Sequence, residues 1–294
     1  MPIEIAAHAG FCMGVRRAVE SAVQVADSGV PSCTLGELIH NPTVVDMLRQ
    51  RGIPPVASAE EAAGRQVLIR SHGVAPEVIK QLEKAGCKVV DLTCPFVNKL
   101  HRVVAEETSE DCPLIMVGER EHPEVKGTCG WARGKVYVVA TAEEAAQLPE
   151  MDQAAAAVQT TFPPERWEAI VAVLRGRVQH LKEHNTICNA TAVRQREAKK
   201  LAAASDAMIV VGGRTSANTH KLFEACKALC PRTILVECAA EIPPAFANIH
   251  SDKIGITAGA STPDGSLEEV ATHMTDNENM AQSSDFTMDA IVAT

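Results

Sequence analysis

Aromatic side chains make up only 3% of the 294 residues: six Phe, two Trp and one Tyr. That leaves too few rings for the base-stacking platforms of single-stranded nucleic-acid binders. Positive charge is also scarce. Lys and Arg number 28 against 37 Asp and Glu, for a net charge of −9. This argues against a nucleic-acid partner, although a local anion site remains compatible with it. No apolar run reaches the roughly 18 residues of a membrane span. The opening "MPIEIAAHAG" has neither a basic region nor a long apolar segment, so no signal peptide is expected. Together these absences predict a soluble, cytoplasmic chain without a membrane partner. Two common nucleotide fingerprints are missing: there is no G-x-x-x-x-G-K-[ST], and no G-x-G-x-x-G follows a strand. No C-x2-C pair, the tight pairing common in structural zinc sites, occurs.

What the chain does have is ten cysteines. In a reducing compartment these are thiols or metal ligands rather than disulfides. Seven of them read as small buried apolar residues: Cys33, Cys87, Cys112, Cys129, Cys226, Cys230 and Cys238. Cys12, Cys94 and Cys188 differ, because each follows a short extended run and opens a helical pattern. "CMGVRRAVESAVQVA" places Val15, Ala18, Val19, Ala22 and Ala26 at helical spacing. "CPFVNKLHRVVAEE" has Pro95 just inside its start, where proline is favoured. "CNATAVRQREAKKLAAA" repeats the theme.

The downstream spacing is shared as well. His40, His122 and Ser216 each lie 28 residues after Cys12, Cys94 and Cys188 respectively, each beyond an apolar run ("CTLGEL", "PLIMVGE", "AMIVVGG"). A second polar cluster follows a second run: Ser71 and His72 after "QVLI", Gln159 to Thr161 after "AAAAV", and Ser261 after "KIGI". This is an internal threefold repeat of roughly 85 to 95 residues, the size of a small domain. Alternating strands and helices in each unit predict an α/β fold of three related small domains with parallel sheets. The expected divisions are 1–93, 94–187 and 188–274, followed by a flexible acidic tail over 275–294 that lacks Lys and Arg.

Ligands gather beyond the carboxyl ends of parallel strands. Three cysteines brought there can hold zinc, hold an iron–sulfur cluster, or merely pack. A helix start favours the thiolate, and Gly10 and Gly14 would let the backbone approach a wide ligand. His40, His72 and His122 in matching frames, with Thr160, Ser216, Asn218 and Ser261, suit a substrate rich in acceptors, phosphate above all. Glu124, two residues after His122, is a candidate proton donor.

The stretches "GFCMGVRRA", "IHNPTVVDMLRQRG", "SHGV", "DLTCPFVNKLH", "EHPEVKGT", "QTT", "RQREA" and "TAGASTPD" resemble the 4-hydroxy-3-methylbut-2-enyl diphosphate reductase (IspH/LytB) family, in order and spacing, over roughly residues 3 to 273. Each motif alone is weak, but together they are highly specific. The resemblance implies three α/β domains around a central [4Fe-4S] cluster, with Cys12, Cys94 and Cys188 as ligands and one iron not ligated by protein. It implies that His40, His72, His122, Ser216, Asn218 and Ser261 hold the diphosphate. It implies Glu124 as the proton-relay acid, assisted by Thr160, and a pocket position at Thr191. The activity implied is two-electron reductive dehydroxylation to isopentenyl and dimethylallyl diphosphate, with a ferredoxin or flavodoxin-type donor. The chain departs from the family pattern at Ala217, which stands where a second serine is common. The rival readings are an iron–sulfur hydro-lyase with no net redox change, a metal-binding structural or regulatory protein with zinc on the three thiolates, and a degenerate, inactive member, against which the intact cysteines and Glu124 argue.

Overall fold

The computed structural model describes residues 3–247 and 253–275. In chain order the elements begin with β1 (Ile3–Ile5), α1 (Met13–Asp27), β2 (Ser32–Leu35), α2 (Pro42–Gln50), β3 (Pro55–Val56), α3 (Ala59–Ala62), β4 (Gln66–Ile69), α4 (Pro76–Lys84) and β5 (Lys88–Asp91). A second set follows: α5 (Pro95–Glu107), β6 (Leu114–Val117), α6 (Pro123–Cys129), β7 (Val136–Val139), α7 (Ala142–Ala146), β8 (Met151–Val158), α8 (Pro164–Leu174) and β9 (Val178–His184). The third contains α9 (Asn189–Ala203), β10 (Ala207–Val211), α10 (Ala217–Lys227), β11 (Thr233–Val236), α11 (Pro244–Ala247) and β12 (Ile254–Ala258), then a helix over 264–275.

These strands form three four-stranded parallel sheets, ordered β3-β2-β4-β5, β7-β6-β8-β9 and β11-β10-β12-β1. The order is the same in all three. In the first two sheets the chain leaves the first central strand toward one edge and the second toward the other, while in the third β1, from the start of the chain, takes that second edge; a crevice opens at the carboxyl ends of such a central pair. The central strands β2, β4, β6, β10 and β12 are buried at every position, as expected when helices cover both faces of a parallel sheet.

The division differs from the sequence-based expectation at its first boundary. Residues 1–93 were expected to form one lobe, but β1 pairs with β12, Ile3 opposite Ile254 and Ile5 opposite Ile256, and so completes the third sheet. A parallel pair is joined through a distant crossover, so nothing local in "IEI" names its partner. The chain falls into two compact units. One is residues 1–12, 40–42 and 193–294, and the other is 13–39 and 43–192. The expected acidic tail at 275–294 lies, apart from Thr275, outside the described residues. Among the described residues, no helix is long and apolar enough to cross a membrane.

Within the larger unit, β8 is built from alanines despite their weak strand preference. Ala154, Ala156 and Val158 face Trp167, Ile170 and Leu174 of α8, while Ala157 joins the cluster of Leu100 and Val104 of α5. Small side chains let a helix lie close on each face of the sheet. His101 of α5 is 3% exposed and stacks on Trp131, with ring centroids 5.1 Å apart and planes 20° apart. Desolvation pushes its pKa down from 6.5 to about 4, partly offset by Asp91.

A histidine with a depressed folded pKa binds its proton more weakly in the folded state than in the unfolded state. Its neutral form is at no disadvantage above about pH 6.5, and stability is lost as pH falls from there toward 4. The loss at pH 5 relative to pH 7 is on the order of 2 kcal/mol. Urea unfolding at both pH values is therefore expected to show a smaller acid-induced loss in His101→Gln than in the parent chain, by about that amount.

Candidate active site

Each of the three singled-out cysteines immediately precedes a long helix: Cys12 before α1, Cys94 before α5 and Cys188 before α9. Each also follows the edge strand that lies beside the second central strand of its sheet. Beyond those strands the parallel pairing continues by one further hydrogen bond. The Cys12 N–H donates to the Ala260 carbonyl at 3.2 Å, Cys94 to Ser71 at 3.0 Å, and Cys188 to Thr160 at 2.8 Å. The three cysteines therefore occupy one equivalent backbone position, each tied to the loop that bears its second polar cluster.

None of the ten cysteines is in a disulfide. Burial does not separate the seven read as packing from the other three: Cys188 is buried, while Cys129 and Cys238 are partly exposed like Cys12 and Cys94. Cys33, Cys87, Cys112, Cys226 and Cys230 are buried. Burial pushes the Cys226 thiol up to about 12 and the partly buried Cys129 up to about 11, so these are inert groups. Three soft thiol donors on equivalent loops fit an iron–sulfur group. The glycine spacing fits as well, though for a different reason than expected. A Cβ on Gly14 would lie 2.4 Å from Cys94 Sγ, so this glycine makes room for the sulfur itself. Gly10 is left-handed at φ +87°, and a Cβ there would meet Asp264 Oδ1 at 2.7 Å.

In the larger unit His72 and His122 meet edge to face, ring centroids 5.4 Å apart and planes at 84°. His122 is the N-cap of α6, where its Nδ1 accepts the Glu124 N–H at 3.2 Å. An accepting Nδ1 leaves the ring proton of the neutral imidazole on Nε2, where it can donate outward. Glu124 is 1% exposed. Its Oε1 accepts the Thr160 N–H at 2.6 Å and its Oε2 the Thr160 hydroxyl at 2.8 Å. Because the Thr160 carbonyl accepts from Cys188, a continuous polar chain runs from Glu124 through Thr160 to that cysteine. The Gln159 amide braces the same loop, accepting from the Glu119 N–H at 3.1 Å and donating to Thr161 Oγ1 at 3.0 Å. Thr191 is buried, and its N–H donates to the Cys188 carbonyl at 3.0 Å.

The smaller unit holds Cys12, His40, Ser216, Ala217, Asn218 and Ser261. Ser261 Oγ approaches the His40 carbonyl at 3.3 Å and Ser216 Oγ at 3.4 Å. Ser216 also N-caps α10, accepting the Thr219 N–H at 3.3 Å, and Ala217 is the first residue of that helix. Asn218 Nδ2 is buried with no partner among the described residues, which marks a donor waiting for an acceptor. One residue without an assigned role in the sequence proves structural: Arg194, in "RQREA". It is 4% exposed and donates to the carbonyls of His8 at 2.9 Å and Gly10 at 2.8 Å, fixing the turn that leads to Cys12.

The fold and these loops define an α/β protein with three like sheets, a thiol at the end of each and polar donors beside it. The family model described as LytB protein matches residues 3–275, and the chain belongs to that family. It is 44% identical over 271 residues to the 4-hydroxy-3-methylbut-2-enyl diphosphate reductase of Geobacter sp. (strain M21), covering 92% of this chain and 95% of that protein. It is 42% identical over 277 residues to the protein of the same name from Aquifex aeolicus (strain VF5). A solved (E)-4-hydroxy-3-methyl-but-2-enyl diphosphate reductase superposes with TM-score 0.72 at 41% identity, covering 94% of this chain and all of that one. The Plasmodium falciparum E-1-hydroxy-2-methyl-but-2-enyl-4-diphosphate reductase superposes at 0.86 with 25% identity, covering 92% and 87%.

Thr160→Val removes one donor from the buried Glu124 carboxyl. Urea unfolding is expected to show a loss of about 1 to 3 kcal/mol, the cost of leaving a buried acceptor without its partner. Thr160→Ser, which keeps the hydroxyl, is expected to recover most of it.

Proposed function

We propose that this chain reduces 4-hydroxy-3-methylbut-2-enyl diphosphate to isopentenyl and dimethylallyl diphosphate, using a [4Fe-4S] cluster held by Cys12, Cys94 and Cys188. The observation that carries this reading is the shared backbone position of the three cysteines, with the Glu124–Thr160 pair hydrogen-bonded to one of them. The reaction consumes two electrons and two protons, breaks the C–O bond and releases water. When bound, the cluster supplies the electrons and an open iron as Lewis acid for that cleavage.

The chain's own residues do the rest. His72 and His122 bind the diphosphate in the larger unit, with the His122 Nε2–H turned outward by the Nδ1 contact. His40, Ser216, Asn218 and Ser261 complete the diphosphate contacts. Asn218 brings a buried amide donor that takes no partner among the described residues. Ala217 lacks the hydroxyl common in the family, and the loss of one neutral hydrogen bond costs about 1 kcal/mol of affinity. Glu124 delivers the proton to the leaving hydroxyl, with its carboxyl held in one orientation by the two Thr160 donors. Burial of this carboxyl limits exchange with bulk water, so the proton is passed at a fixed point. A ferredoxin or flavodoxin-type protein supplies electrons, and ten cysteines outside disulfides suit the reducing cytoplasm.

Anaerobic purification with iron and sulfide analysis, followed by turnover with a reductant, tests the reading. About four irons per chain and reductant-dependent turnover are expected. Zinc in their place, or turnover without reductant, overturns it. Glu124→Gln keeps an acceptor for Thr160 but cannot deliver a proton, so kcat should fall by about 10²- to 10⁴-fold with iron content unchanged. Gly14→Ala puts a methyl 2.4 Å from Cys94 Sγ, and iron content is expected to drop. Gly176→Ala, whose nearest new contact is 3.5 Å away, should load normally.

A further inference from the structure

We propose that Trp131, together with His101, Gly127 and Gly130, is a positioning device that holds His72 at its working distance from His122. The proposal rests on the diphosphate-binding role given above to those two histidines.

The three residues after His72 are gripped from several directions within the larger unit. Gly73 is left-handed at φ +70°, and a Cβ on it would lie 2.5 Å from His101 Cε1, so the imidazole of α5 presses on bare backbone. A Cβ on Gly127 of α6 would lie 3.2 Å from the Gly73 carbonyl oxygen and 3.3 Å from Val74 Cα. A Cβ on Gly130 would lie 2.3 Å from Ala75 Cβ. Trp131 then closes the grip. Its Nε1–H donates to the Val74 carbonyl at 3.0 Å, and its ring stacks on His101.

The helix involved is the one that His122 caps. Its N-terminus presents His122, and its C-terminal turn, with the residues just beyond, seizes the backbone that follows His72. Two glycines allow backbone-to-backbone approach, and an indole hydrogen bond sets how the pieces register. The edge-to-face separation of 5.4 Å between the two imidazoles follows from that grip. Two donors that must bind one diphosphate gain from being held at a fixed spacing before it arrives, because no ordering is left to be done on binding. The sequence offers no spacing rule for this. "SHGVA" and "KGTCGW" lie more than fifty residues apart, and only the docking of α6 relates them.

The test uses the full chain and inorganic pyrophosphate as the probe, with affinity measured by calorimetry and the substrate KM and kcat measured beside it. Trp131→Phe keeps an aromatic ring beside His101 while removing the N–H donor and the smaller ring that bears it. It is expected to weaken pyrophosphate binding and raise KM by about 3- to 10-fold, the equivalent of one hydrogen bond, with kcat within about twofold. In a His72→Ala background the same substitution should have no further effect, since Trp131 acts through His72. Gly127→Ala, which forces the turn to shift by a few tenths of an ångström, is expected to act the same way. Leu174→Ala in α8 serves as the stability control, because it empties a core cluster that includes no residue of the turn. Normal pyrophosphate affinity in Trp131→Phe, additive losses with His72→Ala, or an equal loss in Leu174→Ala would each overturn the positioning role. If His72→Ala itself binds pyrophosphate normally, the histidine assignment fails and the proposal falls with it. Weakening by His72→Ala alone leaves that assignment standing and sinks only the grip.

Discussion

One backbone hydrogen bond, used three times, organises this molecule. Beyond the last strand of each sheet, the cysteine N–H pairs with a carbonyl in the loop after the second central strand. Each bond alone contributes only about 1 kcal/mol net. Its importance is geometric: it extends the parallel ladder past the sheet and fixes thiol and polar loop in register. Moving the cysteine by one residue would turn its side chain to the other face of the strand. It would also uncouple the sulfur from the helix start that follows.

On that common frame the three sheets carry different chemistry. The first loop bears His40, His122 or Ser216, and the second bears His72, Thr160 or Ser261. Among the described residues, only the second copy adds a buried carboxylate. Glu124 sits in the first turn of α6, so its side chain reaches the second loop of the same sheet, where both Thr160 donors meet it. A backbone repeated for stability thus carries side chains that need not repeat, and function lies in those differences. The third copy is the most economical, with hydroxyls and one amide. There Ser216 both caps α10 and meets Ser261.

Glycine serves the site by absence of bulk more than by freedom of φ. Gly14 leaves space for the Cys94 sulfur, Gly127 for the turn after His72, and Gly213 for the His40 carbonyl, 2.9 Å from its hypothetical Cβ. None of these three has a positive φ. In each case the close contact is with a segment remote in sequence, so the glycine marks a meeting of chain segments. Burial then hardens the arrangement, as at His101, whose neutral ring fills the space beneath Gly73.

The sequence by itself marked the buried central strands, the three helix starts after the cysteines and the threefold repeat, and it supplied the candidates for the site. Buried parallel strands read as short apolar runs such as "LIMV" and "AMIVV", proline and cysteine mark the helix entries, and equal offsets of 28 residues expose the repeat. All of these are local or periodic signals. Tertiary structure alone decided which sheet "IEI" joins, why Gly14 must be glycine, what Arg194 anchors, and how Trp131 reaches the turn behind His72. Each of these depends on two segments far apart in the chain. A side chain's local pattern records that it is buried or that it begins a helix, but the partner it meets is fixed only when the packed elements bring distant backbone within van der Waals reach.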